Sequence, residues 1–171
     1  VLYDNTSLYV GVRLYDSQPD RIVARLSRRD EDPDADRFTF YVDAMRDRLT
    51  GAAFEVSAAG AQRDVIISND TSRDSSWDAV WDAAVTIDTE GWAAELRIPL
   101  SQLRFVGGAE QTWGFNVERS TPARNELDYW VAVPRTEKGW ASHFGNLIGV
   151  DGTKPPKRVE VVPFTVGSST I

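Results

Sequence analysis

Apolar and polar residues alternate with a period of two along much of this chain, the pattern of strands that bury one face and wet the other. In Ser7 to Tyr15, Leu8, Val10, Val12 and Leu14 are interleaved with Tyr9, Gly11, Arg13 and Tyr15. Phe38, Phe40 and Val42 alternate with Thr39, Tyr41 and Asp43, and Phe54, Val56 and Ala58 with Ala53, Glu55 and Ser57. Trp92, Ala94, Leu96 and Ile98, and then Trp113, Phe115 and Val117, repeat the pattern. These runs predict five half-buried strands. Weaker candidates lie at Ile22 to Leu26, Asp64 to Ile67, Val85 to Ile87, Tyr129 to Val133 and Arg158 to Val166.

Turn-forming residues separate the runs, among them Asp4-Asn5, Gln18-Pro19-Asp20, Ala59-Gly60, Glu90-Gly91 and Gly107-Gly108. No segment carries a long 3.6-residue apolar repeat; Ala79 to Ala84 and Ser101 to Phe105 have room for a turn of helix each. Many short strands with one wet face and no crossover helices predict an all-β fold, an antiparallel two-sheet β-sandwich of immunoglobulin-like or jelly-roll-like architecture, with a closed barrel as the competing arrangement.

Composition narrows what such a fold can do. With 171 residues, 42 % of them hydrophobic, the chain has material for one core. Residues 1–150 are expected to form that domain, and 151–171, which include Pro155-Pro156, a linker and the first strand of a following element. Nineteen Lys and Arg against 26 Asp and Glu give a formal charge of -7, a field that repels phosphate backbones and argues against nucleic acid as a partner. No stretch approaches the length of an apolar helix that spans a bilayer, so this segment is not expected to insert into a membrane. The chain begins at Val1 without Met and reads as a piece of a longer protein.

Catalytic chemistry finds little to use. There is no cysteine, and the one histidine, His143, follows Ser142 without an evident third group to orient it. Glu55, Glu95 and Glu118 stand at outward positions of separate strands, where a glycosidase pair or simple solvation are both open. The acidic run Asp30, Asp32, Asp34 and Asp36 spaces oxygen ligands as a calcium site does, but Ala35 and Tyr41 replace the glycine and glutamate of an EF-hand loop. It is either a structural calcium site of another kind or a charged loop balanced by Arg28, Arg29 and Arg37. No cofactor is required.

Of the six tryptophans, Trp92 and Trp113 fall in strand register and are expected in the core. Trp77, Trp81 and Trp140 lie in polar or small-residue segments, where an indole either plugs the end of a sandwich or offers a flat apolar face to a sugar ring. The pattern leaves Trp130 unassigned.

The ordered set Leu8-Tyr9-Val10-Gly11-Val12, Asp16-Ser17-Gln18-Pro19-Asp20, Asp36 to Asp43, Trp92 to Pro99, Trp113-Gly114-Phe115-Asn116 and Phe144-Gly145-Asn146-Leu147 resembles carbohydrate-binding module family 9. Arg28 to Asp36, Thr50-Gly51 and Ala59 to Asp64 are closer still to the N-terminal module of the bacterial group labelled domain of unknown function 5916. The resemblance implies a non-catalytic carbohydrate-binding module of an exported, periplasmic or cell-surface protein, in which any glycoside hydrolase activity serving carbohydrate catabolism belongs to the parent. It also implies a C-terminal outer-membrane β-barrel as a partner, and one or two strands of the module before Val1. In the family two tryptophans clamp the terminal sugar. Here the first position falls at Pro33, which cannot stack as an indole does, and the second is matched by Trp140, so the resemblance implies half of that clamp. With the tryptophans marked by their own segments, the candidate poly- or oligosaccharide contacts are Trp140, Trp77 and Trp81, with Arg28, Gln62 and Asn146 as hydroxyl partners. The alternative is a structural or interaction domain attached to the barrel that binds no sugar.

Overall fold

The computed structural model of the chain describes residues 1–31 and 34–155. Within them lie eleven strands: β1 (Leu2–Tyr3), β2 (Ser7–Tyr15), β3 (Arg37–Asp43), β4 (Gly51–Ser57), β5 (Gln62–Ser68), β6 (Ser72–Asp74), β7 (Asp82–Asp88), β8 (Gly91–Pro99), β9 (Thr112–Thr121), β10 (Glu126–Tyr129) and β11 (Gly145–Ile148). One sheet has the order β1-β2-β8-β7; the other has the order β10-β9-β3-β4-β5-β6, with β11 paired to β9 beside β10. All pairs are antiparallel, as a sandwich of hairpins and longer returns requires. The two-sheet expectation is met.

The five strongly alternating runs became β2, β3, β4, β8 and β9. Their inward residues meet in one core, where Leu8, Phe40, Phe54, Trp92, Leu96 and Trp113 are fully buried. Each such side chain contributes roughly 1.5–3 kcal/mol relative to exposure. Asp64 to Ile67 and Val85 to Ile87 fall within β5 and β7, while Tyr129 to Val133 overlaps β10 only at Tyr129. Two expectations fail. Ile22 to Leu26 forms no strand, and Ala79 to Ala84 forms no helix but runs into β7. Ser101 to Phe105 begins with the end of a short 3-10 turn, Leu100–Gln102. The strand expected over Arg158 to Val166 lies outside the described residues. Contacts of the domain continue past Val150: Gln111 hydrogen-bonds both the side chain and the carbonyl of Thr153, and Tyr3 bonds the Asp151 main chain.

The Glu90-Gly91 turn shows why glycine stands between β7 and β8. Gly91 has φ +138°, and a Cβ there would run into the Leu14 carbonyl of the neighbouring strand. Gly91→Ala is therefore expected to destabilise the fold by about 1–3 kcal/mol, read as a lowered thermal midpoint with unchanged strand content by circular dichroism.

Candidate functional site

Residues opposed across a ladder point to the same side, so the register fixes which side chains share the outer face of the larger sheet. Arg37, Thr39, Tyr41 and Asp43 of β3 stand level with Ser120, Glu118, Asn116 and Gly114 of β9. On the other side Thr39 is level with Glu55 of β4, which faces Arg63 of β5, while Glu118 faces Tyr129 of β10. A row Tyr129, Glu118, Thr39, Glu55, Arg63 thus crosses five strands.

This face is not simply wet, as alternation predicts. Tyr41 is only 2 % exposed, and Thr39 and Asp43 are buried too. The segment between β10 and β11 folds back across the sheet, and its Trp140, Ala141 and Phe144 pack with Tyr41, Ala53, Val65 and Ile67 into a second apolar cluster. Trp140 meets Tyr41, Tyr129 and Phe144 edge-on, with ring centroids 5.3, 5.2 and 5.8 Å away. Such edge-to-face contacts add about 0.5–1.5 kcal/mol each beyond burial. The exposed Arg73 guanidinium lies 5.4 Å from the Trp140 ring centre and 5.6 Å from that of Tyr41.

Polar groups border this aromatic floor. The Tyr41 hydroxyl donates to Glu118 at 2.7 Å and that of Thr39 to Glu55 at 3.3 Å, while Arg37 and Arg63 lie 3.7 and 4.0 Å from the Glu55 carboxylate. Burial, reinforced by the Glu118 charge, pushes the Tyr129 phenol up to about 12 and Tyr41 higher still. Both tyrosines therefore keep their protons and serve Glu118 as donors. The face presents half-buried indole and phenol rings beside paired carboxylates and guanidiniums, a set that can cover an apolar ring face and satisfy surrounding hydroxyls at once.

Asp70, in the turn between β5 and β6, holds the Trp140 segment in place. Its carboxylate accepts from the main-chain N–H groups of Trp140 and Ser142 at 2.9 and 2.8 Å and from the Ser142 hydroxyl at 2.9 Å, and its carbonyl accepts from Ala141 N–H at 3.2 Å. The Ser142 hydroxyl is thus turned to Asp70, while the His143 ring bonds the Lys138 carbonyl, so the two neighbours form no catalytic pair.

The remaining sequence candidates separate. Asn146 is exposed on β11, level with Gly114 and hence on the Trp140 face. Trp81 is a correction: it is 4 % exposed in the main core, its indole N–H donating to Asp64 at 3.0 Å, and it has no surface to offer a sugar. Trp77 packs edge-on against Phe54, an inward residue, so it stands on the opposite side of the sheet from Trp140 and cannot complete a clamp with it. Gln62 is also on that inner side, its carbonyl taken by Arg29 at 2.7 Å and its amide donating to the Trp81 carbonyl at 3.4 Å. Arg28 is exposed, its main chain tied to Glu31. Trp130, left open by sequence, is 69 % exposed beside Phe115.

The acidic run disperses. Asp30 sits by Arg29 and the Asp64 main chain, Asp34 by Arg25, and Asp36 is buried and accepts from Val23 N–H. Among the described residues no three acidic or histidine side chains converge on one point, and Asp32 and Pro33 lie outside them.

No protein-family model matches the chain, and no curated protein matches it. Solved structures do. A carbohydrate-binding module of family 9 from Caldicellulosiruptor kristjanssonii in complex with cellotriose is similar over 95 % of this chain and 78 % of its own, at 17 % identity and a TM-score of 0.59. A second structure of a family 9 module from that organism, with glucose, covers 90 % and 77 % at 18 % identity and a TM-score of 0.57. A Bacteroides uniformis protein for which carbohydrate binding is inferred covers 74 % and 67 % at 15 % identity and a TM-score of 0.59. The chain shares their sandwich fold.

Proposed function

We propose that the outer face of the larger sheet is a non-catalytic binding surface for a poly- or oligosaccharide. The observation that carries this is the half-buried Trp140, held rigidly by Asp70 and Phe144 beside the Glu118–Glu55–Arg63 row. A sugar ring would lie against this aromatic group while Glu118, Glu55, Arg63, Arg73 and Asn146 exchange hydrogen bonds with its hydroxyls. The family 9 structures with cellotriose and glucose share the fold and support sugar as the ligand class. Export and attachment to an outer-membrane β-barrel belong to the same proposal and rest on the sequence resemblance. The competing reading, a structural domain that binds no sugar, draws support from the burial of Trp81 and the separation of Trp77 from Trp140.

Titration with cellotriose and xylotriose, followed by tryptophan fluorescence and calorimetry, decides between them. Saturable binding is expected, weakened at least tenfold in Trp140→Ala, the loss of about 1.4 kcal/mol that a stacked ring supplies. No heat and no fluorescence change with either sugar would leave the structural reading standing.

A further inference from the structure

A pocket of about 490 Å3 opens at one end of the sandwich, beneath the β3–β4 turn and beside the segment that follows β8. Its inner wall is apolar, with Val42, Ala52, Ile66, Leu103 and Trp77 contributing. Met45, itself exposed, forms part of the mouth. Val42, Ala52 and Ile66 belong to the inward faces of their strands, and Trp77 leans on Phe54, so the body of the pocket lies on the far side of the sheet from Trp140, with Gly51 and Ile67 of the outer face at its edge. It is a separate site, independent of the sugar reading.

Two charged residues stand at this pocket, and they differ in kind. The Asp47 carboxylate is saturated by its own turn, accepting from the main-chain N–H groups of Leu49 and Thr50 and from the Thr50 hydroxyl at 2.7–2.8 Å. Arg104 is exposed and makes no ion pair or hydrogen bond with any described residue. Its planar donors match a carboxylate, and the volume behind it falls in the range of small-molecule sites, roughly 300–1,000 Å3.

We infer that this pocket binds a small aromatic carboxylate, its ring against Trp77 and Met45 and its carboxylate paired with Arg104. The size, the apolar wall and a single guanidinium with no partner among the described residues select a ring with one anionic group over a neutral sugar, whose hydroxyls would find few polar partners on that wall, and over a polyanion, whose further charges would meet Asp47 and no second cation.

Cinnamate and its neutral analogue cinnamamide are suitable probes, titrated into the 15N-labelled chain while the six indole N–H signals are followed by NMR. Cinnamate is expected to shift the Trp77 indole with an affinity on the order of 1 mM or tighter. Arg104→Gln should weaken cinnamate about tenfold and leave cinnamamide unchanged, since only the charge-assisted bond is removed. Met45→Trp, placed in an exposed turn where misfolding is not at issue, should block both probes by filling the mouth. Trp140→Ala should alter neither, which separates this site from the sugar surface. The inference is overturned by the absence of a Trp77 shift at roughly 10 mM cinnamate, by shifts centred on Trp140, or by equal affinity of the wild type and Arg104→Gln.

Discussion

Asp64→Ala is expected to remove about 3–5 kcal/mol of stability, a large part of what a domain of this size has to lose. Asp64 is fully buried on β5 and faces inward, where alternation calls for an apolar residue. One carboxylate oxygen accepts from the Arg29 guanidinium and, at 3.0 Å, from the Trp81 indole; the other accepts from Ala79 N–H at 2.6 Å. Arg29 continues to the Ala79 carbonyl at 2.6 Å and to Gln62. Removing the carboxylate would leave the buried Trp81 indole and Ala79 amide without acceptors and the guanidinium with only the more distant and more exposed Asp30 and Asp78, at 3.6 and 3.5 Å. Urea unfolding should show a lower midpoint at an unchanged slope. Asn at this position keeps one acceptor oxygen and should lose clearly less; a cost below about 1 kcal/mol for the alanine variant would refute this role for Asp64.

The same carboxylate explains where sequence reading ran short. Trp81 lies between Asp78 and Asp82, and by composition that segment is a wet loop. What takes its indole into the core is an acceptor seventeen positions earlier, on a strand whose pattern is itself broken by that acceptor. Periodicity sees runs of like residues along a strand, so it found β2, β3, β4, β8 and β9 and the burial of Trp92 and Trp113. It is blind to a polar pair whose members lie on different elements. The outer face departs from the pattern for a related reason: Tyr41 occupies a wet position by alternation, and the packing of Trp140, Ala141 and Phe144 against it buries it. Trp140 is marked by its polar surroundings in the sequence, whereas nothing local marks Tyr129, Arg63 and Arg73, which share the outer face with it. Once strand pairing is known, Arg63 and Tyr129 appear at the two ends of a single row through Thr39.

Replacing Asp70 should have as great an effect on the proposed sugar surface as replacing Trp140 itself, although Asp70 is a positioning residue with no place in the aromatic floor. Asn69 and Asp70 both adopt left-handed backbone, at φ +49° and +70°, which Asn and Asp tolerate better than other side chains. That geometry brings the Asp70 carboxylate beneath the 139–142 segment. Gly139, at φ +102°, is required there because a Cβ would collide with both the Asp70 and Ser142 side chains. Partial burial raises the Asp70 pKa, but the bonds from Ser142 and Trp140 N–H and from the Ser142 hydroxyl outweigh it, and the net shift is downward. A folded-state value below the unfolded one, roughly 4, means that the ionised carboxylate favours the folded segment. Its contribution is complete above that pH and is lost as the pH falls through the lower folded-state value. Asp70→Ala is therefore expected to weaken cellotriose at least tenfold at neutral pH, at a stability cost of about 1–3 kcal/mol. Asp70→Asn keeps an acceptor for the two N–H groups and should retain most of the binding, yet lose that part of the acid sensitivity below about pH 4 that belongs to this carboxylate. Tryptophan fluorescence against pH, recorded for the wild type and both variants, isolates that contribution. Identical acid profiles for the wild type and Asp70→Asn would mean that another group holds Trp140 in place.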